Sequence, residues 1–145
     1  ACAHAPRTGQ GIGTWILPEM LRAYERLHEL GHAHSIEVFQ DEQLVGGIYG
    51  VAVGRMFCGE SMFSAQPGGS KVALAGLAQL LKGWDWPLID AQLENAHLSS
   101  LGGQLMPRSD FLKRLAMLAD DVGQTGRWTA AFGERTAAGL GSPSG

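Results

Sequence analysis

The chain has 145 residues, 45% of them hydrophobic and 17% charged, with a net charge of −3. That balance describes a globular domain large enough to bury a core, and no apolar run reaches the roughly 18 residues that cross a bilayer. The acidic balance argues against a nucleic-acid site carried by this chain alone, because binding to a phosphate backbone is chiefly electrostatic. Two cysteines, Cys2 and Cys58, are too few for a disulfide scaffold and point to a cytoplasmic location.

Residues Ala1 to Gly13 contain Gly, Ala and Pro without periodicity, and the first ten lack the charged start and apolar centre of a signal peptide. The chain does not begin with Met, so it reads as the downstream piece of a longer protein. Pro18 to Leu30 is expected to be a helix, with Pro18 in the first turn, Gly31 at the left-handed stop, and Met20, Tyr24, Leu27 and Leu30 as its apolar stripe. Three strands follow: Ala33 to Gln40, Leu44 to Val53 after a polar Asp41-Glu42 turn, and Arg55 to Phe63. They are close enough in sequence to pair as an antiparallel meander. Gly46, Gly47 and Gly50 mark a bulge or a close approach to the second strand.

After the Pro67-Gly68-Gly69 loop, Ser70 is expected to cap a helix from Lys71 to Lys82 that is apolar nearly all round and buried against the sheet. Pro87 to Gln92 reads as a short strand, and Asn95 or Ser99 opens a helical turn ending near Gly102-Gly103. Gln104 to Met106 is expected to be a last strand, Ser109 the cap of a helix to about Asp120, and the Gly-, Thr-, Ala- and Ser-rich remainder an irregular tail. Helices covering a mixed sheet make this an α+β, or mixed α/β layer, fold, and the order also fits acyltransferases of the GNAT type.

Three polar residues stand inside apolar strand sequence. Glu60 interrupts Phe57 to Phe63, and Asp90 and Gln92 end Leu88 to Gln92. Burying a neutral polar group without a partner costs roughly 2 to 7 kcal/mol, so these residues are either satisfied structurally or kept for chemistry. Strand alternation puts Cys58, Glu60 and Met62 on one face and Phe57, Gly59 and Ser61 on the other. The structural alternative for Glu60 is a bond to backbone or to Lys71. Asp90 and Gln92, two apart, are expected to point the same way at a carboxyl strand end, where mixed sheets place ligand crevices. There an Asp can hold a Gln amide against a reacting group; the alternative is an Asp capping a loop. His32, His34 and Glu37 do not complete a tetrahedral metal set, and Cys58 reads as a buried thiol rather than a nucleophile.

Gly13-Thr14-Trp15-Ile16, Tyr24 to Val38, Leu44 to Ala52, Phe57 to Ser64, Ser70-Lys71, Leu88 to Gln92, His97 to Gly102 and Pro107-Arg108 together resemble the leucyl/phenylalanyl-tRNA–protein transferases, over roughly Cys2 to Leu118. The resemblance implies transfer of Leu or Phe from Leu-tRNA or Phe-tRNA to the α-amino group of proteins that begin with Arg or Lys, marking them for N-end-rule degradation. It implies a GNAT-like catalytic domain over residues 1–120, a tail over 121–145, no metal, coenzyme A or other cofactor, no membrane, and a monomer. It gives Asp90 and Gln92 as catalytic, with Glu60 orienting the amine. Trp15, Ile48, Phe57, Ser64, Leu77 and Ile89 then contact the aminoacyl-adenosine end or hold the Leu or Phe side chain.

Ala91 stands where many members have Cys, and Leu77 where an aromatic residue is usual. The resemblance implies a smaller N-terminal domain, carrying much of the basic surface that faces the tRNA, which is expected to lie outside this sequence and would explain its acidic balance. Two other readings remain open on the residues alone. One is an acyl-CoA N-acetyltransferase cradling a pyrophosphate on Gln66 to Ser70; the other is a non-catalytic module that binds basic N-terminal peptides.

Overall fold

The computed structural model describes Cys2 and residues 17–141. In chain order these form α1 (Pro18–Glu29), β1 (Ala33–Gln40), β2 (Gln43–Val53), β3 (Met56–Ser64), α2 (Gly69–Gly83), β4 (Leu88–Asp90), α3 (Ala96–Ser100), α4 (Arg108–Ala119), α5 (Thr129–Phe132) and a 3-10 turn, Ala137–Gly141. Among the described residues the strands make one sheet in the order β1-β2-β3-β4, antiparallel except for the parallel β3–β4 pair. This is the expected α+β class. The β1–β2 hairpin closes through Asp41 and Glu42 at φ of 48° and 65°, the primed turn whose twist matches that of the strands. A parallel partner for β3 requires a crossover, and α2 supplies it. No described helix is long and apolar enough to cross a membrane.

α1 begins at Pro18, and Gly31 at φ 79° ends it. The N–H groups of Gly31 and His32 close onto the carbonyls of His28 and Leu27, each at 2.9 Å, so the orphan carbonyls of the last turn are satisfied. Met20, Tyr24 and Leu27 of its stripe are half-buried. The core lies on the other face of the sheet, where Ile36, Ile48 and Phe57 meet Ala73, Leu77, Leu80 and Leu81 of α2.

A bulge changes the expected alternation along β3. Tyr49 pairs with Ser61 and Gly50 with Gly59, leaving Glu60 as the extra residue. One inserted residue shifts the parity of everything beyond it. Met62 therefore comes opposite Ile48 and packs with Phe57 on the core face, while Glu60 keeps the side of Cys58.

Other local expectations also change. α2 is capped by Gly68 at φ 88°, with no side-chain cap; Ser70 lies one residue inside the helix and is 4% exposed. The cap of α4 is Pro107, whose carbonyl accepts the N–H groups of Asp110 at 2.9 Å and Phe111 at 3.0 Å. Its ring presets the backbone before the first turn, so Ser109 is not needed as a cap. Residues 104–106 form no strand: they run between Gly103, whose N–H closes on Leu98 O at 3.0 Å, and Pro107, and pair with no sheet edge. β4 spans Leu88–Asp90 only.

The stretch expected to be an irregular tail enters the core. Trp128 is 6% exposed, stacks flat on His34 with centroids 3.7 Å apart, and lies at 5.9 Å from the Phe57 ring. Its Nε1–H donates to Gln124 O at 3.1 Å. Phe132 of α5 covers Gly76 of α2, where an added Cβ would come within 3.2 Å of the ring, so this glycine makes room for the C-terminal segment.

His34 under Trp128 predicts a pH dependence. Its Nε2–H donates to Gly31 O at 3.1 Å, and burial lowers its pKa from 6.5 to about 4, with the Gly31 carbonyl working in the opposite direction. The unfolded chain then binds a proton that the folded chain refuses. Stability present above about pH 6.5 is lost as pH falls towards 4, by at most about 3 kcal/mol. Urea midpoints measured between pH 7 and pH 4 should show this slope, and His34→Gln should flatten it.

Candidate active site

β3 and β4 pair over three steps, Met56 with Leu88, Phe57 with Ile89 and Cys58 with Asp90, after which β4 stops and β3 runs on to Ser64. A notch therefore opens beside Cys58 and Asp90, at the carboxyl end of β4 and part-way along β3, where backbone groups lose their ladder partners and ligands commonly lie. Asp90 Oδ1 accepts the backbone N–H of Gln92 at 2.8 Å. That bond holds a tight turn in which Gln92 sits at φ 65°, a conformation that side-chain-bearing residues adopt at a cost. The Gln92 amide then reaches back, with Nε2 donating to Gly59 O at 2.9 Å. The two residues do not stand side by side on a strand as the sequence spacing implied. Asp90 holds the backbone of Gln92, and the Gln92 amide spans the notch.

Glu60 is half-buried on the bulge. Tyr24 of α1 stands beside it: burial first, and then the neighbouring Glu60 carboxylate, raise the Tyr24 pKa far above its usual value. Tyr24 is steadied edge-on against Tyr49, with ring centroids 5.3 Å apart. Burial also pushes the Cys58 thiol up, with the Asp90 and Glu60 carboxylates adding to the effect. A thiol in that setting is a poor nucleophile at neutral pH, and the shift marks two negative charges beside one strand end.

Ile48, Phe57, Leu77 and Ile89 gather in one apolar cluster on the core face, Phe57 and Leu77 at 1% exposure. Ile89 is common ground: it joins this cluster and also lines a groove of about 410 Å³ with Asp90, Gln92, Ser99, Arg108 and Phe111. Ser64, at the far end of β3, is exposed and bonded to Ser70. Trp15 lies outside the described residues. A second hollow, about 720 Å³, separates α1 from the sheet and includes Leu21, Tyr24, Glu37, Tyr49 and Phe63 in its walls.

His32, His34 and Glu37 do not converge. His32 precedes β1 and is exposed, while His34 is buried under Trp128. Among the described residues no group of three or more His, Cys, Asp or Glu side chains can hold a metal ion. The amides at the start of α2 are already engaged. Gly69 N donates to Gln66 O at 3.1 Å, Ser70 N to Ser64 Oγ at 2.8 Å and Val72 N to Gly68 O at 3.0 Å. A pyrophosphate cradle needs such amides open towards solvent, which counts against the acyl-CoA reading.

Tyr24 and His97 were given no role by their sequence context. Tyr24 belongs to an apolar helical stripe and, like His97, to a matching stretch; their neighbours Glu60 and Ser70 are brought to them by tertiary packing.

A model of the leucyl/phenylalanyl-tRNA protein transferase family matches residues 1–116. A leucyl/phenylalanyl-tRNA–protein transferase of Xanthomonas euvesicatoria is 61% identical over 140 residues, covering 97% of this chain and 56% of its own length. One from Xylella fastidiosa is 54% identical over 135 residues, covering 93% and 55%. The chain thus spans little more than half the length of the relatives it matches. With the family match running through β3, β4 and the notch between them, the chain belongs to the leucyl/phenylalanyl-tRNA protein transferase family.

Proposed function

We propose that this chain carries the chemistry of an aminoacyltransferase that moves Leu or Phe from its aminoacyl-tRNA to the α-amino group of proteins beginning with Arg or Lys, in the cytoplasm, marking them for N-end-rule degradation. The observation that carries the reading is the turn in which Asp90 holds the Gln92 backbone and the Gln92 amide reaches Gly59 O, with Asp90 and Glu60 both close to Cys58 and Ile89 leading to the apolar cluster behind. Residues 1–120 are read as the catalytic unit, with the segment from 121 docked on it through Trp128.

The amine lone pair attacks the ester carbonyl carbon, a C–N bond forms, and the C–O bond to the terminal ribose breaks. The proton leaving nitrogen ends on the ribose oxygen. The ester is already activated, so the main demand on the protein is positioning, a contribution of about 7 to 11 kcal/mol for well-oriented reactants. With Nε2 of Gln92 committed to Gly59 O, its Oε1 is left to accept from the incoming amine. Glu60 and Asp90 favour a peptide that brings the cationic side chain of Arg or Lys to the notch, while its attacking α-amine is neutral. Selection of Leu or Phe over smaller side chains, worth about 1 to 3 kcal/mol per methylene, falls to the groove that Ile89 lines beside Asp90 and Gln92, because Phe57 and Leu77 are closed within the core.

The test is to follow label from radiolabelled Leu-tRNA onto peptides beginning with Arg or with Ala. It should be run with this chain and with the same chain extended by the upstream residues of the Xanthomonas euvesicatoria relative. Transfer to the Arg peptide alone is expected; no transfer by either form would reject the reading.

A further inference from the structure

Two segments of the family match, Ser70-Lys71 and His97 to Gly102, have no part in the chemistry above, yet they touch. His97 Nε2 lies 3.2 Å from Ser70 Oγ, Ser70 Oγ lies 2.9 Å from Ser64 Oγ, and Ser70 N–H donates to Ser64 Oγ at 2.8 Å. The contacts are held from both sides. Gly46 pairs with Ser64 in the sheet, and a Cβ on Gly46 would lie 2.5 Å from Gly69 Cα, so the start of α2 is pressed backbone to backbone onto β2 beside Ser64. α3 is anchored by Asn95, whose Oδ1 accepts Leu98 N–H at 2.8 Å.

Donor accounting gives this chain of hydroxyls a direction. A serine hydroxyl has one proton and two lone pairs. Ser64 spends its proton on Ser70 Oγ and one lone pair on Ser70 N–H. Ser70 is 4% exposed, so its own proton needs a partner inside the protein, and His97 Nε2 is in place to accept it. This requires His97 to carry its proton on Nδ1. Ser64, exposed at the end of β3, is then left with one lone pair facing outward, suited to a hydroxyl or amino donor.

We propose that His97 is a positioning residue which, through Ser70, fixes the Ser64 hydroxyl as an acceptor for the aminoacyl-adenosine end of the tRNA. The same contact pins the segment that follows Gln92, so one imidazole supports both the acceptor at Ser64 and the turn carrying the amide. The proposal rests on the transferase reading.

The test combines tautomer and binding. Nitrogen-15 spectra of His97 should show the proton on Nδ1, the form less favoured by free imidazole, and Ser70→Ala should abolish that preference. Affinity for a puromycin-like aminoacyl-adenosine mimic, measured in this chain and its extended form, should fall about five- to tenfold in His97→Ala and in Ser70→Ala, the loss of one hydrogen bond. The double variant should fall no further. His97→Gln, which can still present an acceptor, should come back to within about twofold of wild type by the same hydrogen-bond measure. An Nε2 proton in the wild type, losses that add, or a His97→Gln no better than His97→Ala would overturn the proposal. A wild-type chain that binds no mimic would overturn both the positioning role and the transferase reading. An Nδ1 proton alongside such binding failure would place the fault in the reading and not in the hydroxyl chain.

Discussion

Asp90→Ala should lower transfer from Leu-tRNA to an Arg peptide by about a hundredfold or more, the cost expected when a reacting geometry is lost by an ångström or a proton-handling group is removed. The substitution does two things at once. It deletes the acceptor of the Gln92 N–H, the 2.8 Å bond that holds Gln92 at φ 65°, so the amide no longer has reason to stay on Gly59 O. It also removes one of the two carboxylates beside Cys58. Asp90→Asn separates the effects, because its side-chain oxygen can still accept from Gln92 N–H while the charge is gone. If positioning dominates, the Asn variant should recover most of the lost rate; if charge dominates, it should stay near the Ala variant. Asp90 is only half-buried, so the melting temperatures of all three proteins should stay close. A normal transfer rate in a folded Asp90→Ala protein would move the chemistry away from the notch.

Trp128→Ala should cost about 3 to 5 kcal/mol of folding stability, the usual range for truncating a large buried aromatic. Against the 5 to 15 kcal/mol of a typical domain, that is a large share. The ring joins His34, Phe57, Trp84 and Trp86, so its loss opens a cavity against β1, β3 and the end of α2. Trp128→Phe retains an apolar ring but loses the bond to Gln124 O, and about 1 to 2 kcal/mol should separate it from wild type. Urea unfolding measures both. A loss below about 1 kcal/mol on Trp128→Ala would mean that the C-terminal segment contributes little to the core, contrary to its burial.

The regular elements were legible because their signals are local. Pro18 and Gly31 bracket α1, the Asp41-Glu42 pair turns β1 into β2, and the apolar sequence of α2 marks a buried helix. The misreadings have one cause, that the deciding contact is distant in sequence. Ser70 has the character of a cap, but Gly68 takes that place and Ser70 is claimed by Ser64 and His97. The remainder after Asp121 looks like tail because its composition is small and polar, and a single Trp finds the core from within it. The alternation along β3 fails at Glu60, where an inserted residue has no sequence mark of its own.

From the sequence alone came the α+β class, the strand meander, the family, and the residue types on which the candidate site depends. These follow from periodicity, turn chemistry and ordered motifs, each readable within a few residues. Only the tertiary structure decided that Asp90 grips the Gln92 backbone, that Tyr24 stands beside Glu60, that His97 reaches Ser64 through Ser70, and that Trp128 closes the core over His34. The first is a local turn of the kind left open as an Asp capping a loop; the other three join groups that the folded chain alone brings within reach, and such contacts have no period or motif from which to be read.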